Sequence, residues 1–197
     1  MSLKHMKFKK LRKELQYWLS EAEYVKEVLK EWHHTFEDYQ REFCIEHDIN
    51  LAELNTNNSE KVDKIMVNAV GPVKPTVDFK AVKQDKQIKN LYKQLARKLH
   101  PDVGGDEEEF KKITTALSEN NFEKLLDMCD EHAILIEIDD ELIKLIKKQI
   151  KDTKKKINKD KSTYSWSLYN CEDNKECKEK VMKNFLKHLF NYKGKNV

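Results

Sequence analysis

The stretch from Asp85 to Leu117 reads DKQIKNLYKQLARKLHPDVGGDEEEFKKITTAL. Ile88, Tyr92, Leu95 and Leu99 recur at spacings of three and four, which draws an apolar stripe along one helix and leaves Lys89, Lys93, Arg97 and Lys98 for its other sides. Pro101 cannot continue that helix, and Gly104-Gly105 turn the chain. Asp106 then stands where a second helix needs its N-cap. Glu109, three residues on, completes a capping-box pattern, and Glu107 and Glu108 put negative charge at the helix's positive end. Phe110, Ile113 and Leu117 make the facing stripe. The expectation is a helical hairpin, a basic helix packed on an acid-started one, with His100-Pro101-Asp102 exposed at its tip.

Outward from the hairpin, the remaining punctuation is sparse. Gly71, Pro72 and Pro75 form a second cluster, and Gly194 lies in the tail. Before them, Phe8, Leu11, Leu15, Trp18, Ala22, Val25, Leu29, Trp32, Phe36, Tyr39 and Phe43 alternate spacings of three and four, an unbroken heptad seam on one helix of about 54 Å at 1.5 Å per residue. Its aromatics are too bulky for a two-stranded coiled coil, so the seam is expected to pack against helices of the same chain. Asn50 to Glu60 reads as a polar loop.

Beyond the hairpin, Asp139 or Asp140 can cap a helix bearing Leu142, Ile143, Ile146, Ile150 and Ile157, a natural antiparallel partner for the first. That run ends at Ser162. Tyr164, Trp166 and Tyr169 then make a packing clasp before a last helix with Val181, Met182, Phe185, Leu186, Leu189 and Phe190. The fold class read here is all-α, a helical hairpin mounted on long amphipathic helices. Its expected parts are a long N-terminal helix (1–50), a linker (51–84), the hairpin (85–130) and a C-terminal helical region packing on the first helix (131–197).

Composition narrows the function classes. The longest apolar run, Ala133 to Ile138, is broken by Glu137 and is far short of the roughly 20 residues that a membrane helix requires. The opening residues carry charge without an apolar core or cleavage site, so a cytoplasmic location is expected. Cys44, Cys129, Cys171 and Cys177 include no CxxC pair, which favours free thiols over a zinc site, with Cys171/Cys177 as the minor disulfide alternative. His33, His34 and His47 have no metal-ligand companions in sequence, and there is neither a phosphate loop nor a nucleophile motif, so no metal, no cofactor and no enzyme is expected. Lys144 to Lys161 holds nine lysines against Asp152 and Asp160. That run suggests polyanion binding, but lacks the interleaved aromatics of single-strand binders.

The hairpin resembles the J domain of the DnaJ-type co-chaperones. Tyr92-Lys93-Gln94-Leu95-Ala96-Arg97-Lys98-Leu99-His100-Pro101-Asp102 looks like that family's second helix running into its tripeptide, and Phe110-Lys111-Lys112-Ile113 resembles the opening of its third. The Gly-Gly-Asp-Glu-Glu turn is particularly similar to J domains of viral origin, which would place the protein in a host cytoplasm. The resemblance covers about 33 of 197 residues. The family's first helix would fall near Val70 to Phe79, where Gly71, Pro72 and Pro75 oppose a helix, and Val103 stands where the family has a basic residue.

What the resemblance implies is a mechanism without covalent chemistry. The partner is a DnaK-type heat-shock chaperone, held by Lys89, Lys93, Gln94, Arg97 and Lys98 and triggered to hydrolyse ATP by His100, Pro101 and Asp102, so that a client protein is trapped. Two rivals stand beside this reading: a J-derived structural or interaction protein without chaperone coupling, and a nucleic-acid binder using the Lys144 to Lys161 face.

Overall fold

The computed structural model describes residues 2–56, 86–119 and 121–192, and the fold is all-α, with no strand among the described residues. Among the described residues the main helices follow in the order α1 (Leu3–Glu46), α2 (Lys86–Leu99), α3 (Glu107–Ser118), α4 (Phe122–Glu131), α5 (Asp140–Lys161), α6 (Tyr164–Tyr169) and α7 (Lys175–Phe190). A 3-10 turn, Pro101–Val103, joins α2 to α3. Residues 51–56 are also helical, capped by the Asn50 side chain, which accepts the Glu53 N–H at 3.1 Å. The polar segment expected as a loop from Asn50 therefore begins as a helical turn. The rest of the expected linker, and the position of the family's first helix near Val70 to Phe79, lie outside the described residues. No helix among the described residues is long and apolar enough to cross a membrane.

The chain divides into two compact units, Met1–Ser20 with Asp78–Lys154, and Glu21–Val77 with Lys155–Val197. In the first, α2, α3 and α4 pack on one another, and the core joins Ile88, Leu91, Leu95 and Leu99 of α2 to Ile113 and Ala116 of α3, Phe122, Leu125, Leu126, Met128 and Cys129 of α4, and Leu142, Leu145, Ile146 and Ile150 of α5. Phe8 and Leu15 of α1 complete it. Each fully buried Leu or Ile here removes apolar surface worth about 1.5–3 kcal/mol, so the hairpin is held chiefly by what covers it.

The α1–α5 pairing corrects an expectation. Lys4 pairs with Asp140 at 3.0 Å and Glu14 with Lys154 at 2.9 Å, so both residue numbers rise together and the helices run parallel. The apolar periodicity of each helix fixes which face is buried and leaves the direction of its partner open. The same Lys154 ammonium lies 4.6 Å from the centre of the Trp18 ring, one use for an aromatic at a seam position.

In the second unit, Phe36, Phe43, Cys44 and Ile49 pack with Leu168, Met182 and Leu186. Phe36 meets Phe185 edge-on at 5.0 Å, while Glu46 reaches Lys175 at 3.5 Å, so α7 is the antiparallel partner of this part of α1. Tyr164 stacks against Phe36 and meets Phe185 edge-on, and Tyr169 lies against Trp32, the clasp expected from their clustering. All eleven residues of the heptad seam are buried or half-buried, as packing within the chain requires.

The cysteines divide in a way that free thiols throughout did not anticipate. Cys171 and Cys177 form a disulfide; Cys44 and Cys129 are buried and free. The turn explains the pairing. Asn174 donates its N–H to the Cys171 carbonyl at 2.9 Å and caps α7 by accepting the Cys177 N–H at 3.0 Å, which folds the two Cα atoms to 5.5 Å apart.

Candidate functional site

Leu99 is the last residue of α2, and the chain leaves it with His100 in an extended conformation (φ −65°, ψ 132°), as the residue before a proline prefers. The 3-10 turn closes at Gly104, whose φ of +83° is left-handed, and its N–H donates to the Pro101 carbonyl at 2.9 Å. Gly105 answers a different demand: a Cβ there would lie 2.3 Å from the carbonyl carbon and oxygen of Leu99. The two glycines are thus required for separate reasons, one for dihedral angle and one for space. The Val103 and Gly105 N–H groups both donate to the His100 carbonyl, at 3.0 and 3.1 Å.

The His100 ring is fixed on two sides. Its Nδ1 accepts the Asp102 backbone N–H at 3.1 Å, and Phe110 meets the ring edge-on with centres 4.8 Å apart. Asp102 Oδ2 also lies 3.4 Å from Nδ1, but a nitrogen already accepting a backbone N–H cannot donate to a carboxylate. The backbone bond has the better geometry and assigns the ring proton to Nε2. Consequently the Asp102 carboxylate has no cation of its own. With the side chain 86% exposed, it is presented to solvent, available for a charge-assisted bond to an external cation.

The basic residues fall into two groups. Lys86, Lys89, Lys93 and Arg97 follow at spacings of three, four and four, forming one exposed stripe opposite the buried line of Ile88, Leu91, Leu95 and Leu99. None of the four forms an ion pair with another described residue. Lys98 projects from another side, and its Nζ donates to the His132 carbonyl beyond the end of α4 at 2.5 Å, which makes it a tie within the unit. Gln94 is half-buried between these sides. Leu91, absent from the expected stripe, is buried, whereas Tyr92 is only half-buried.

The start of α3 follows half of the expected capping box. Asp106 accepts the Glu109 N–H at 2.9 Å. The Glu109 carboxylate, however, turns to Lys112 at 2.6 Å and to His132 Nε2 at 3.3 Å, and the Lys112 bond in particular holds its pKa below the ordinary carboxylate value. Glu109, Glu131 and His132 bring ligand-type atoms within 4.8 Å of one another, but Glu109 and His132 already meet each other in a half-buried contact. His33 and His34 both face Glu37, at 3.5 and 3.9 Å.

Lys86, the first cation of an acid-free basic run from Lys86 to His100, extends the stripe by one turn, as its spacing from Lys89 signals. Two contributors were not legible as such. Phe110 acts on the His100 ring as well as on the core. α4 closes the hairpin, and Asn121, its N-cap, with Phe122, Leu125, Leu126 and Cys129 at helical spacing, was the available sign. Comparison with known proteins finds no matching family model, no matching curated protein and no matching solved structure.

Proposed function

We propose that this chain is a J-domain co-chaperone that binds a DnaK-type ATPase chaperone and stimulates its ATP hydrolysis. The observation that carries the reading is the Asp102 carboxylate, exposed and without an internal cation, at the end of a helix whose outward stripe is Lys86, Lys89, Lys93 and Arg97. A basic stripe steers an acidic partner and holds it by complementary charge. The carboxylate then meets a partner arginine, for which bidentate geometry is the strong form. The role needs no group that breaks a bond in this chain; the chemistry belongs to the ATPase. The fixed His100 ring supports the reading, because a trigger is effective when its geometry is set before binding.

The test is single-turnover ATP hydrolysis by a DnaK-type chaperone with wild-type protein and with His100→Gln. Stimulation that disappears in the variant is the expected result. No stimulation by a folded wild-type protein, across bacterial and eukaryotic chaperones, would overturn the reading and leave an interaction module that does not couple to ATP hydrolysis.

A further inference from the structure

The basic surface of the first unit does not stop at α2. Lys86 at the start of α2 and Lys144 and Lys148 of α5 line one surface cleft of about 430 Å³, together with Gln87, Asp139, Glu141 and Leu145. Its acidic groups are engaged internally. Asp139 accepts the Leu142 N–H at 2.7 Å as the cap of α5 and the Gln87 amide at 3.1 Å, and Glu141 holds Lys144 at 2.6 Å. Lys148 is left exposed, with no ion pair to a described residue, as are Lys147 and Lys151. These three lysines lie on the side of α5 opposite its buried line of Leu142, Leu145, Ile146 and Ile150. Lys154, one turn on, is neutralised by Glu14, which marks where the uncompensated positive face ends within this unit.

We propose that Lys147, Lys148 and Lys151 of α5 form a second half of the docking surface, continuing the α2 stripe across the cleft and binding an acidic patch on the same ATPase partner. The inference rests on the function proposed above. It makes that partner's footprint wider than the hairpin and gives α5 a part in choosing it. An acidic protein surface fits better than a nucleic acid. No aromatic ring lines the cleft for a base to stack on, and an acidic protein face is the surface that the α2 stripe already calls for in the function proposed above.

The experiment titrates the full chain against a DnaK-type ATPase and reads both the plateau of stimulation and the concentration giving half of it, at low and at high salt. Lys148→Glu with Lys151→Glu is compared with Lys26→Glu with Lys180→Glu, exposed positions of the other unit carrying the same change in charge. The expected result is a rise of about five- to twentyfold in the half-maximal concentration for the α5 variant at low salt, shrinking at high salt, with the plateau kept and the control close to wild type.

An α5 variant that titrates like the wild type or the control overturns the wider footprint, while loss of stimulation in His100→Gln leaves the co-chaperone reading standing. A wild-type protein that gives no stimulation overturns both. Salt-sensitive capture of duplex DNA that the α5 variant loses, with its ATPase titration unchanged, overturns the proposal in favour of a nucleic-acid face.

Discussion

Arg12 and Glu123, 111 residues apart in the chain, meet at 2.9 Å through Nε and Oε1, and the same guanidinium reaches Asp127 at 2.8 Å and Asp130 at 2.5 Å. Burial works against the charge on Arg12, and the bonds from Glu123 and Asp130 outweigh it, so its pKa stands above the ordinary value. Burial pushes the Glu123 carboxyl up, against the pull of Arg12, and its Oε2 is buried without a partner. This cluster ties the first helix to the helix that closes the hairpin.

Arg12→Met should therefore cost about 3–5 kcal/mol at neutral pH, because it strands a buried carboxylate. The sign of the pH dependence follows. A carboxyl whose folded pKa is raised contributes its stability below the ordinary glutamate value of 4.5 and loses it as pH rises through the raised value. Removing Arg12 enlarges that rise, so the penalty should shrink as pH falls toward 4.5 and Glu123 takes up a proton. Denaturant melts of the variant, with and without Glu123→Gln, check this. A penalty that does not change with pH would sink the explanation.

The two tip glycines should fail differently. Gly104→Ala places a side chain in open space at a left-handed φ and should cost about 1–2 kcal/mol. Gly105→Ala puts a methyl into the Leu99 carbonyl and must shift backbone; a cost of about 2–3 kcal/mol is expected, along with loss of ATPase stimulation as His100 moves. Thermal melts of the two variants side by side give the order.

Just past α4 and its cap His132, Ala133 stands at φ +52°, where the Ile134 N–H closes onto the Cys129 carbonyl at 2.8 Å. That geometry favours glycine. Ala133→Gly should raise stability by about 0.5–1 kcal/mol, measurable as a shift in denaturant midpoint without a change in slope.

On the function proposed above, Lys98 separates structural from docking charge. Because its ammonium is bonded to the His132 carbonyl, Lys98→Met should lower the melting temperature and leave the half-maximal concentration for ATPase stimulation near wild type. Lys93→Met and Arg97→Met should do the reverse, raising that concentration by about three- to tenfold each. If Lys98→Met weakens docking as much as its neighbours do, the division of the basic residues into two groups is wrong.

What the sequence disclosed depended on the range of the contact. The N-cap at Asp106, the stop at Pro101, the turn at Gly104-Gly105 and the heptad seam of α1 are local patterns, and each appears where its spacing indicated. The parallel course of α1 and α5 was hidden, since apolar periodicity says which face is buried and nothing of direction. Lys98 was hidden for the same reason: its partner is a backbone carbonyl 34 residues away, and no side-chain pattern marks a carbonyl. Glu109 misled because a residue at the third helical position with two good partners within reach need not turn back to its own cap.

Reduction of the Cys171–Cys177 bridge opens a short ring, and chain entropy for a loop of that size is about 2 kcal/mol. Melting with and without a thiol reductant should show a loss of that order, carried by the signals of Trp32 and Trp166, which belong to the unit holding the bridge, and not by Trp18. Single Trp→Phe variants separate the three.

The two free cysteines are placed one to a unit, Cys129 in the first and Cys44 in the second, and both are buried. Burial pushes the Cys129 thiol up to about 11 and raises Cys44 as well, so neither supplies much thiolate at neutral pH while its surroundings are intact. An alkylating reagent can then reach each sulfur only when the packing around it opens. The rate at which each is labelled becomes a clock for the breathing of its own half of the molecule, read from the natural sequence with no probe added.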